Sequence, residues 1–403
     1  MKRNEISELY HGFPGTSQII DKLGKSETIR INIDGLTGSS KSVVVATVYE
    51  KLQTSHIVIV PEKEDAAYFY NDLVSLLGDE SVFFFPSTFK RSVLFEQTEP
   101  ANIVLRTEVL SHLSSGKRKG IIVSYPEAVM EKVINKRNLK KNTLKIAKGD
   151  KLSSDFIEEM LHEYGFDRVD FVYEPGQYSI RGSIIDVFSF SSDLPFRIDF
   201  FGEEVDTIRT FNTEDQLSVK QQDVIQIIPN IQDVSVEEIS DSFTDFVPPS
   251  SIVWTEESDF MKEKINSIYQ QTLQREESGQ LSGRKDLIMT GNRFFQECEK
   301  FRMIGLGRNG LINAGENLSF HTEPQPAFNK NFELLSEKLL ANKLIDYKTY
   351  IISENQSQID RLSEIFAEIS PGVHFIPLIF NLHSGFTDHD LKISVYTDHQ
   401  IFD

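Results

Sequence analysis

The chain has 403 residues, 39% of them hydrophobic, which is enough for two or three domains with buried cores. Its formal charge of −19 makes the chain as a whole a poor candidate for binding the phosphates of a nucleic acid. The sequence has no apolar run long enough to span a membrane, no secretory leader at its start, and a single cysteine, Cys298. We therefore expect a cytoplasmic protein with no membrane partner, no disulfide framework and no metal site.

Residues 1–142 alternate between strand and helix patterns. Strands are predicted at 28–34, 56–62, 81–86 and near 120, and amphipathic helical stretches follow them. This alternation is typical of a parallel sheet flanked by helices, so the fold class is expected to be α/β.

The pattern changes near residue 143. One helix is followed by strands separated by Gly-containing turns, which indicates a small α+β module over residues 143–230. Residues 231–345 are mostly helical and polar, with helices predicted at 259–279 and 284–305, and strand and helix patterns return after residue 348. We expect this third segment, residues 231–403, to complete the α/β body. The last residues form no evident terminating element, so the chain is expected to be a fragment of a longer protein.

The stretch GLTGSSKS, residues 35–42, differs at one position from a phosphate-binding loop. Such a loop has the pattern G-x-x-x-x-G-K-[ST] between a strand and a helix, and Gly35, Gly38, Lys41 and Ser42 are all in place. Ser40 replaces the glycine before the lysine. Its Cβ is expected to fill space that a phosphate needs, and a positive φ there would be strained.

Nucleotide hydrolysis also needs an acidic residue that holds a metal at the end of an apolar strand. The best candidate strand lies in SSIVWTEESD, residues 250–259, where Thr255 occupies the aspartate position and Glu256 follows. Two departures from the pattern predict a degenerate nucleotide site. Two interpretations stay open at this point: a turn retained for packing, or a loop with residual phosphate or nucleotide binding.

The strand PFRIDFF, residues 195–201, has two different faces. The alternation places three apolar residues on one face: Phe196, Ile198 and Phe200. Arg197, Asp199 and Phe201 lie on the other face, and an exposed arginine beside an exposed aromatic is typical of a protein-binding hot spot. Arg181, in the turn-like SIRGS, would join them. The alternative is that Phe201 folds under the next turn and Arg197 pairs with Asp199 or Glu203.

These motifs resemble the UvrB-homology module of the transcription-repair coupling factor family (Mfd), over roughly residues 28–235. The block EPGQYSIRGSIIDVFSFSSDLPFRIDFFGEEVDTIRTFN, residues 174–212, carries most of the resemblance and is shared with UvrB. UvrB, however, has an intact phosphate loop and a tyrosine-rich hairpin that probes DNA. This chain has FPSTFKRSVLFEQTEP, residues 85–100, at the place of that hairpin. Both departures favour the coupling factor.

The resemblance implies a degenerate RecA/helicase-like domain (1–142), an inserted UvrA-binding module (143–230) and a partly helical segment (231–403). It implies a non-catalytic adaptor that imitates UvrB and recruits UvrA to stalled RNA polymerase, with UvrA contacts at Arg181, Arg197 and Phe201. We expect this fragment to bind no cofactor, because ATP, Mg²⁺, RNA polymerase and DNA are implied for other domains of an ATP-dependent DNA translocase. The alternatives are an ATP-dependent helicase-like enzyme using Lys41 and Ser42, and a UvrB-type damage verifier that binds DNA directly.

Overall fold

The computed structural model describes residues 5–25, 28–91, 96–116, 119–231, 239–311 and 314–402. Their helices are α1 (Glu5–His11), α2 (Pro14–Leu23), α3 (Ser40–Leu52), α4 (Lys63–Leu77), α5 (Pro100–Ser114), α6 (Pro126–Val129), α7 (Lys136–Lys141), α8 (Ser154–Glu163), α9 (Phe243–Phe246), α10 (Ser258–Glu277), α11 (Gly291–Cys298), α12 (Phe332–Leu344), α13 (Gln356–Ile369) and α14 (Asp398–Phe402). Within these ranges, no helix is both long enough and apolar enough to cross a bilayer.

The strands are β1 (Arg30–Asp34), β2 (Ser55–Ile59), β3 (Val82–Phe85), β4 (Phe89–Arg91), β5 (Glu96–Thr98), β6 (Gly120–Ser124), β7 (Val133–Ile134), β8 (Leu144–Ala147), β9 (Asp167–Arg168), β10 (Gln177–Arg181), β11 (Ile184–Val187), β12 (Phe196–Phe201), β13 (Glu204–Phe211), β14 (Ser218–Gln222), β15 (Val224–Ile227), β16 (Ile239–Asp241), β17 (Ile252–Glu256), β18 (Arg302–Leu306), β19 (Glu316–Ser319), β20 (Thr322–Pro324), β21 (Lys348–Ser353), β22 (Ile376–Ile379), β23 (Phe386–Asp388) and β24 (Ile393–Thr397).

The largest sheet has seven parallel strands in the order β19–β1–β18–β17–β2–β6–β3. Strands β2 and β6 are buried at every residue, as expected for parallel strands that are covered by helices. The sheet combines strands from before the small module with three strands that follow it, β17, β18 and β19. The predicted α/β fold class is confirmed.

The helix predicted over residues 284–305 is found only over Gly291–Cys298 and is wrong at both ends. At its start, Lys285–Leu287 forms a single 3-10 turn instead. Helix α11 ends at Cys298, and Arg302–Leu306 forms β18, which lies between β1 and β17 in the sheet. A short apolar run such as RMIGL is compatible with a buried strand or a buried helix, and periodicity does not distinguish them. The prediction failed because the run directly follows an amphipathic helix.

The small module has its own six-stranded sheet, in the order β14–β13–β12–β11–β10–β9. Its pairs are antiparallel except for β9 with β10. Ile185, Ile198 and Ile208 are fully buried on its inner face. The separate, hairpin-rich sheet predicted after residue 143 is therefore present.

The C-terminal strands form a third sheet, in the order β20–β23–β24–β21–β22. Helices α12 and α13 contribute Leu335, Leu362 and Phe366 to a core of their own. Segments 320–322 and 383–385 of this lobe lie against the turn between β1 and α3, as described below. Strands β4 and β5 pair antiparallel within residues 85–100, and residues 92–95 of that stretch lie outside the described residues.

Candidate functional site

The degenerate phosphate loop joins β1 to α3. Gly35 and Gly38 adopt positive φ angles of 82° and 52°. A Cβ at Gly35 would lie 1.9 Å from the Phe320 carbonyl oxygen and one at Gly38 2.8 Å from the Gly385 carbonyl oxygen, so neither position has room for a side chain. Ser40 is the first residue of α3 and has no positive φ, so the strain predicted at this position is not found. Its Oγ instead donates to the Thr37 carbonyl at 2.6 Å and accepts from the Thr37 N–H at 3.0 Å. The hydroxyl that replaces the glycine closes the loop on itself.

The C-terminal lobe supplies further partners to the loop. Thr322 Oγ1 also accepts from the Thr37 N–H, at 2.8 Å. The Ser39 N–H donates to the Ser384 carbonyl at 3.1 Å, and Ser39 Oγ accepts from the Ser384 N–H at 2.9 Å. Backbone N–H groups in such a loop bind phosphate oxygens when the site is active. The N–H groups of Thr37 and Ser39 are engaged by the C-terminal lobe, and the Gly35 N–H donates to Asp34 Oδ1 at 2.8 Å.

The two side chains that would hold phosphate and metal are also engaged. Lys41 Nζ lies 3.1 Å from Glu256 Oε1, at the end of β17. Burial raises the pKa of the Glu256 carboxyl, and the ion pair with Lys41 opposes that shift. Ser42 Oγ donates to Asp72 Oδ2 at 3.0 Å rather than facing the loop.

Asp72 connects the loop to the C-terminal lobe. Its Oδ1 accepts from the His383 N–H at 2.6 Å, while its Oδ2 accepts from Ser42. Burial raises the pKa of Asp72 to about 6, although hydrogen bonds from Ser39, His383 and Ser42 oppose the rise. The groups that donate hydrogen bonds to the Asp72 carboxylate, two serine hydroxyls and a backbone N–H, are thus all uncharged.

Thr255, at the predicted metal-holding position, is buried and donates from Oγ1 to the Gly310 carbonyl at 2.8 Å. It offers no carboxylate, and the neighbouring Glu256 is paired with Lys41. In the part of the chain that the structure describes, no group of three His, Cys, Asp or Glu side chains is placed to hold a metal ion. This region thus lies where the seven-stranded sheet meets the C-terminal lobe.

A contrasting feature is the docking ribbon, which we define as β12, β13 and the turn between them, residues 196–211. Phe196, Ile198 and Phe200 are buried, as predicted from the alternation. Phe201 is 84% exposed at the end of β12, directly before Gly202, whose φ is +65°. The alternative in which Phe201 folds under the turn is wrong. A large aromatic side chain is thus held in solvent by a tight turn.

Arg197 is more enclosed than the sequence indicated, with a side chain only 13% exposed. Its Nε and Nη2 donate to the two oxygens of Asp186, at 2.7 and 2.9 Å, and its guanidinium lies 4.2 Å from the Phe211 ring centre. The alternative in which Arg197 pairs with Asp199 or Glu203 is wrong, because Arg197 pairs with Asp186 and Arg209 takes the Asp199 carboxylate at 2.6 Å. Arg197 therefore lies on the polar face of the sheet and also links β12 to β11 through Asp186.

Arg181 lies at the end of β10 and shares Asp186 with Arg197. Its side chain is 38% exposed, and its guanidinium lies 5.0 Å from the ring centre of Phe171, which is also exposed. The Phe200 N–H donates to the Ser183 carbonyl, which aligns the turn after Arg181 with the turn after Phe201. The two predicted contact residues consequently lie at the same end of the sheet.

Sequence reasoning missed Asp186, Arg209, Phe171 and the exposed Tyr173. Asp186 could have been found, because it is the one charged residue within the apolar run IIDVF and such a residue needs a buried partner. Arg209 lies opposite Arg197 through the register of β12 and β13, which only the structure reveals. Phe171 and Tyr173 lie in a loop, and no sequence periodicity predicts their exposure.

Comparison with known proteins agrees with these features. Residues 144–232 match the model of the UvrB interaction domain family. The chain is 33% identical over 196 residues to the transcription-repair-coupling factor of Bacillus subtilis, covering 48% of this chain and 16% of that protein. The Escherichia coli transcription-repair-coupling factor is 27% identical over 196 residues, covering 48% of this chain and 17% of that protein.

A second group of relatives aligns over a similar stretch. UvrABC system protein B of Thermotoga neapolitana is 25% identical over 235 residues, covering 55% of this chain and 35% of that protein. The match thus spans about a sixth of the coupling factors it resembles and about a third of this UvrB relative. The predicted resemblance to the UvrB-homology module of the coupling factors is confirmed.

Proposed function

We propose that this chain is a non-catalytic adaptor of nucleotide excision repair, whose module over residues 143–230 binds UvrA in place of UvrB. In this proposal the chain is the N-terminal part of a transcription-repair coupling factor that works in the cytoplasm. Other parts of that protein would contact RNA polymerase and move along DNA with ATP. The chain would present a UvrB-like face and so bring UvrA to a stalled polymerase.

One observation carries the proposal: Phe201 is 84% exposed on the docking ribbon, at the same end of the sheet as Arg181. Single exposed hydrophobic side chains are common on protein surfaces, so exposure alone does not assign a role. What favours a binding role is an exposed aromatic at a tight turn in a sheet that also carries Arg181 and Arg197. Aromatic and arginine side chains dominate the free energy of protein interfaces. The ribbon is also preorganised, because Asp186 fixes the two neighbouring arginines, and less conformational entropy is then lost on binding.

The direct test is titration calorimetry of UvrA with the natural chain and with Phe201→Ala. We expect the substitution to weaken binding by about 2 kcal/mol, which is roughly a 30-fold rise in Kd. Leu344→Ala is the matched control, since Leu344 is 85% exposed in the C-terminal lobe, away from the ribbon. Unchanged affinity for Phe201→Ala, or an equal loss for both variants, would refute the proposed docking face.

The helicase-like alternative is tested on the same proteins. The closed loop around Ser40 and the Lys41–Glu256 ion pair favour the adaptor. We expect no heat of binding with millimolar ATP and Mg²⁺. Affinity in the micromolar range would support the enzyme instead. Selective binding of damaged duplex that depended on residues 85–100 would support the damage verifier.

A further inference from the structure

Residues 132–151 contain eight lysines and arginines and one aspartate, in a chain whose formal charge is −19. We call this segment, which covers α7, β8 and the turn after it, the basic strip. Its exposed cations are Lys136, Arg137, Lys140, Lys141, Lys145, Lys148 and Lys151. None of the strip's cations forms an ion pair with any described carboxylate.

The fold holds these charges in place. Helix α7 is anchored by buried Leu139 and capped by Asn135, whose side chain accepts from the Asn138 N–H. Arg137, Lys140 and Lys141 have the i, i+3, i+4 spacing that puts side chains on one helix face. Strand β8 continues the strip and is fixed by antiparallel pairing with β15.

The carboxylates that accept hydrogen bonds from the strip's backbone bond to residues other than Arg137, Lys140 and Lys141. Asp150 accepts from the Ala147 N–H, and Asp241 accepts from the backbone N–H of Lys136. Glu204 faces the far end of the strip, where it forms a backbone bridge with Lys151. The charge of Arg137, Lys140 and Lys141 therefore remains available to an external anion.

We propose that the basic strip binds the phosphate backbone of a nucleic-acid duplex, independently of base sequence. Regularly spaced lysines and arginines are the groups that neutralise phosphates and release counterions. The strip carries no exposed large hydrophobic or aromatic side chain, so it offers no stacking platform for a single strand, no membrane anchor and no protein hot spot.

The strip is continuous with the docking ribbon. The Gly149 N–H donates to the Val205 carbonyl, the Val205 N–H donates to the Asp150 carbonyl, and the Leu152 N–H donates to the Glu203 carbonyl. A duplex on the strip would thus lie alongside whatever the ribbon binds. The proposal goes beyond UvrA docking, because it assigns a second class of ligand to a different surface.

The test measures fluorescence anisotropy of a 24-base-pair duplex with the full chain over a series of salt concentrations. The variant Arg137→Gln, Lys140→Gln, Lys141→Gln should bind about tenfold more weakly or worse at low salt. It should also lower the steepness of log K against log salt by about 2 to 3, since each phosphate contact contributes about 0.9. DNA and RNA duplexes of one sequence, measured in parallel, identify which backbone binds better.

The matched control is Lys330→Gln, Lys338→Gln, Lys348→Gln, which makes the same charge change on exposed lysines of the C-terminal lobe. We expect this control to bind like the natural chain, and UvrA affinity to be kept in both triple variants. Equal losses in the two variants, no measurable binding to either duplex, or poly-L-glutamate competing as well as the duplex would each overturn the proposal. The last outcome would assign the strip to an acidic protein.

Discussion

The phosphate loop and the docking ribbon contain similar residues, but the loop is covered by other parts of the protein whereas the ribbon exposes an aromatic side chain to solvent. Each joins two elements through a glycine at positive φ and carries a basic side chain beside an acidic one. In the loop, Lys41 and Ser42 turn to protein partners, and segments of a second lobe cover the backbone. In the ribbon, buried partners fix the arginines while Phe201 stays in solvent. The loop is covered because its hydrogen-bond partners come from a separate lobe. The ribbon stays exposed because its partners come from within its own sheet.

The largest effect should come from Asp186→Ala, which tests whether the ribbon depends on an internal anion. Asp186 is 1% exposed and is shared by Arg181 and Arg197, so its loss leaves two neighbouring cations unpaired. Removing one partner of a buried ion pair costs about 3–5 kcal/mol. We expect the module to melt at lower temperature in scanning calorimetry and UvrA affinity to fall with it.

Asp206→Ala is the control for this change, because Asp206 is exposed on β13 of the same sheet. We expect it to alter the melting transition by less than about 0.5 kcal/mol. If Asp186→Ala melted like the control, the stability of the module would not depend on the carboxylate that Arg181 and Arg197 share. That outcome would contradict the proposed difference between the ribbon and the loop.

How much the sequence could predict differs between the two regions for a physical reason. Period-two alternation correctly placed Phe201 outside and Phe200 inside, because side-chain direction in a strand is a local property. The true partner of Arg197 was not predicted, because Asp186 comes from a different strand and only the register brings it opposite. Local patterns therefore specify faces but not partners.

The loop shows the same limit over a longer distance. The missing glycine was visible in the sequence, but the groups that close the loop, Thr322 and Ser384, lie 285 and 345 residues away from their loop partners along the chain. No helical or strand period links such positions. The strand at 302–306 was missed for a related reason, since its place between β1 and β17 depends on strands far from it in sequence.

The next largest effect is expected in the pH dependence of the folding stability, through Asp72 beside the loop. Asp72, hydrogen-bonded only by neutral donors, has a folded pKa raised from 3.8 to about 6. The folded chain therefore binds a proton more tightly than the unfolded chain, and this contribution to stability increases as pH falls from about 6 to 4. The gain is on the order of 2–3 kcal/mol. Melting of the natural chain and of Asp72→Asn, measured from pH 4.5 to 7.5, should show this gain in the natural chain alone.

Asp65→Asn, an exposed change on the same helix α4, should leave the natural pH profile intact. Parallel profiles for the natural chain and Asp72→Asn would mean that the carboxylate is not enclosed between α4 and the C-terminal lobe. Water would then reach the contact between α4 and the C-terminal lobe, whereas Asp186 beside the ribbon is buried.

The smallest effect, and the sharpest test of closure, is expected from Ser40→Gly, which restores the full phosphate-loop pattern. The variant loses the two hydrogen bonds between Ser40 Oγ and Thr37, so we expect a destabilisation of about 1 kcal/mol. ATP affinity should not appear, because Thr322 and Ser384 still engage the backbone of the loop and Glu256 still holds Lys41. Ser40→Ala separates the lost hydroxyl from added backbone freedom and should melt close to Ser40→Gly. Micromolar binding of ATP with Mg²⁺ by Ser40→Gly would show that one side chain, rather than the surrounding partners, keeps the loop closed.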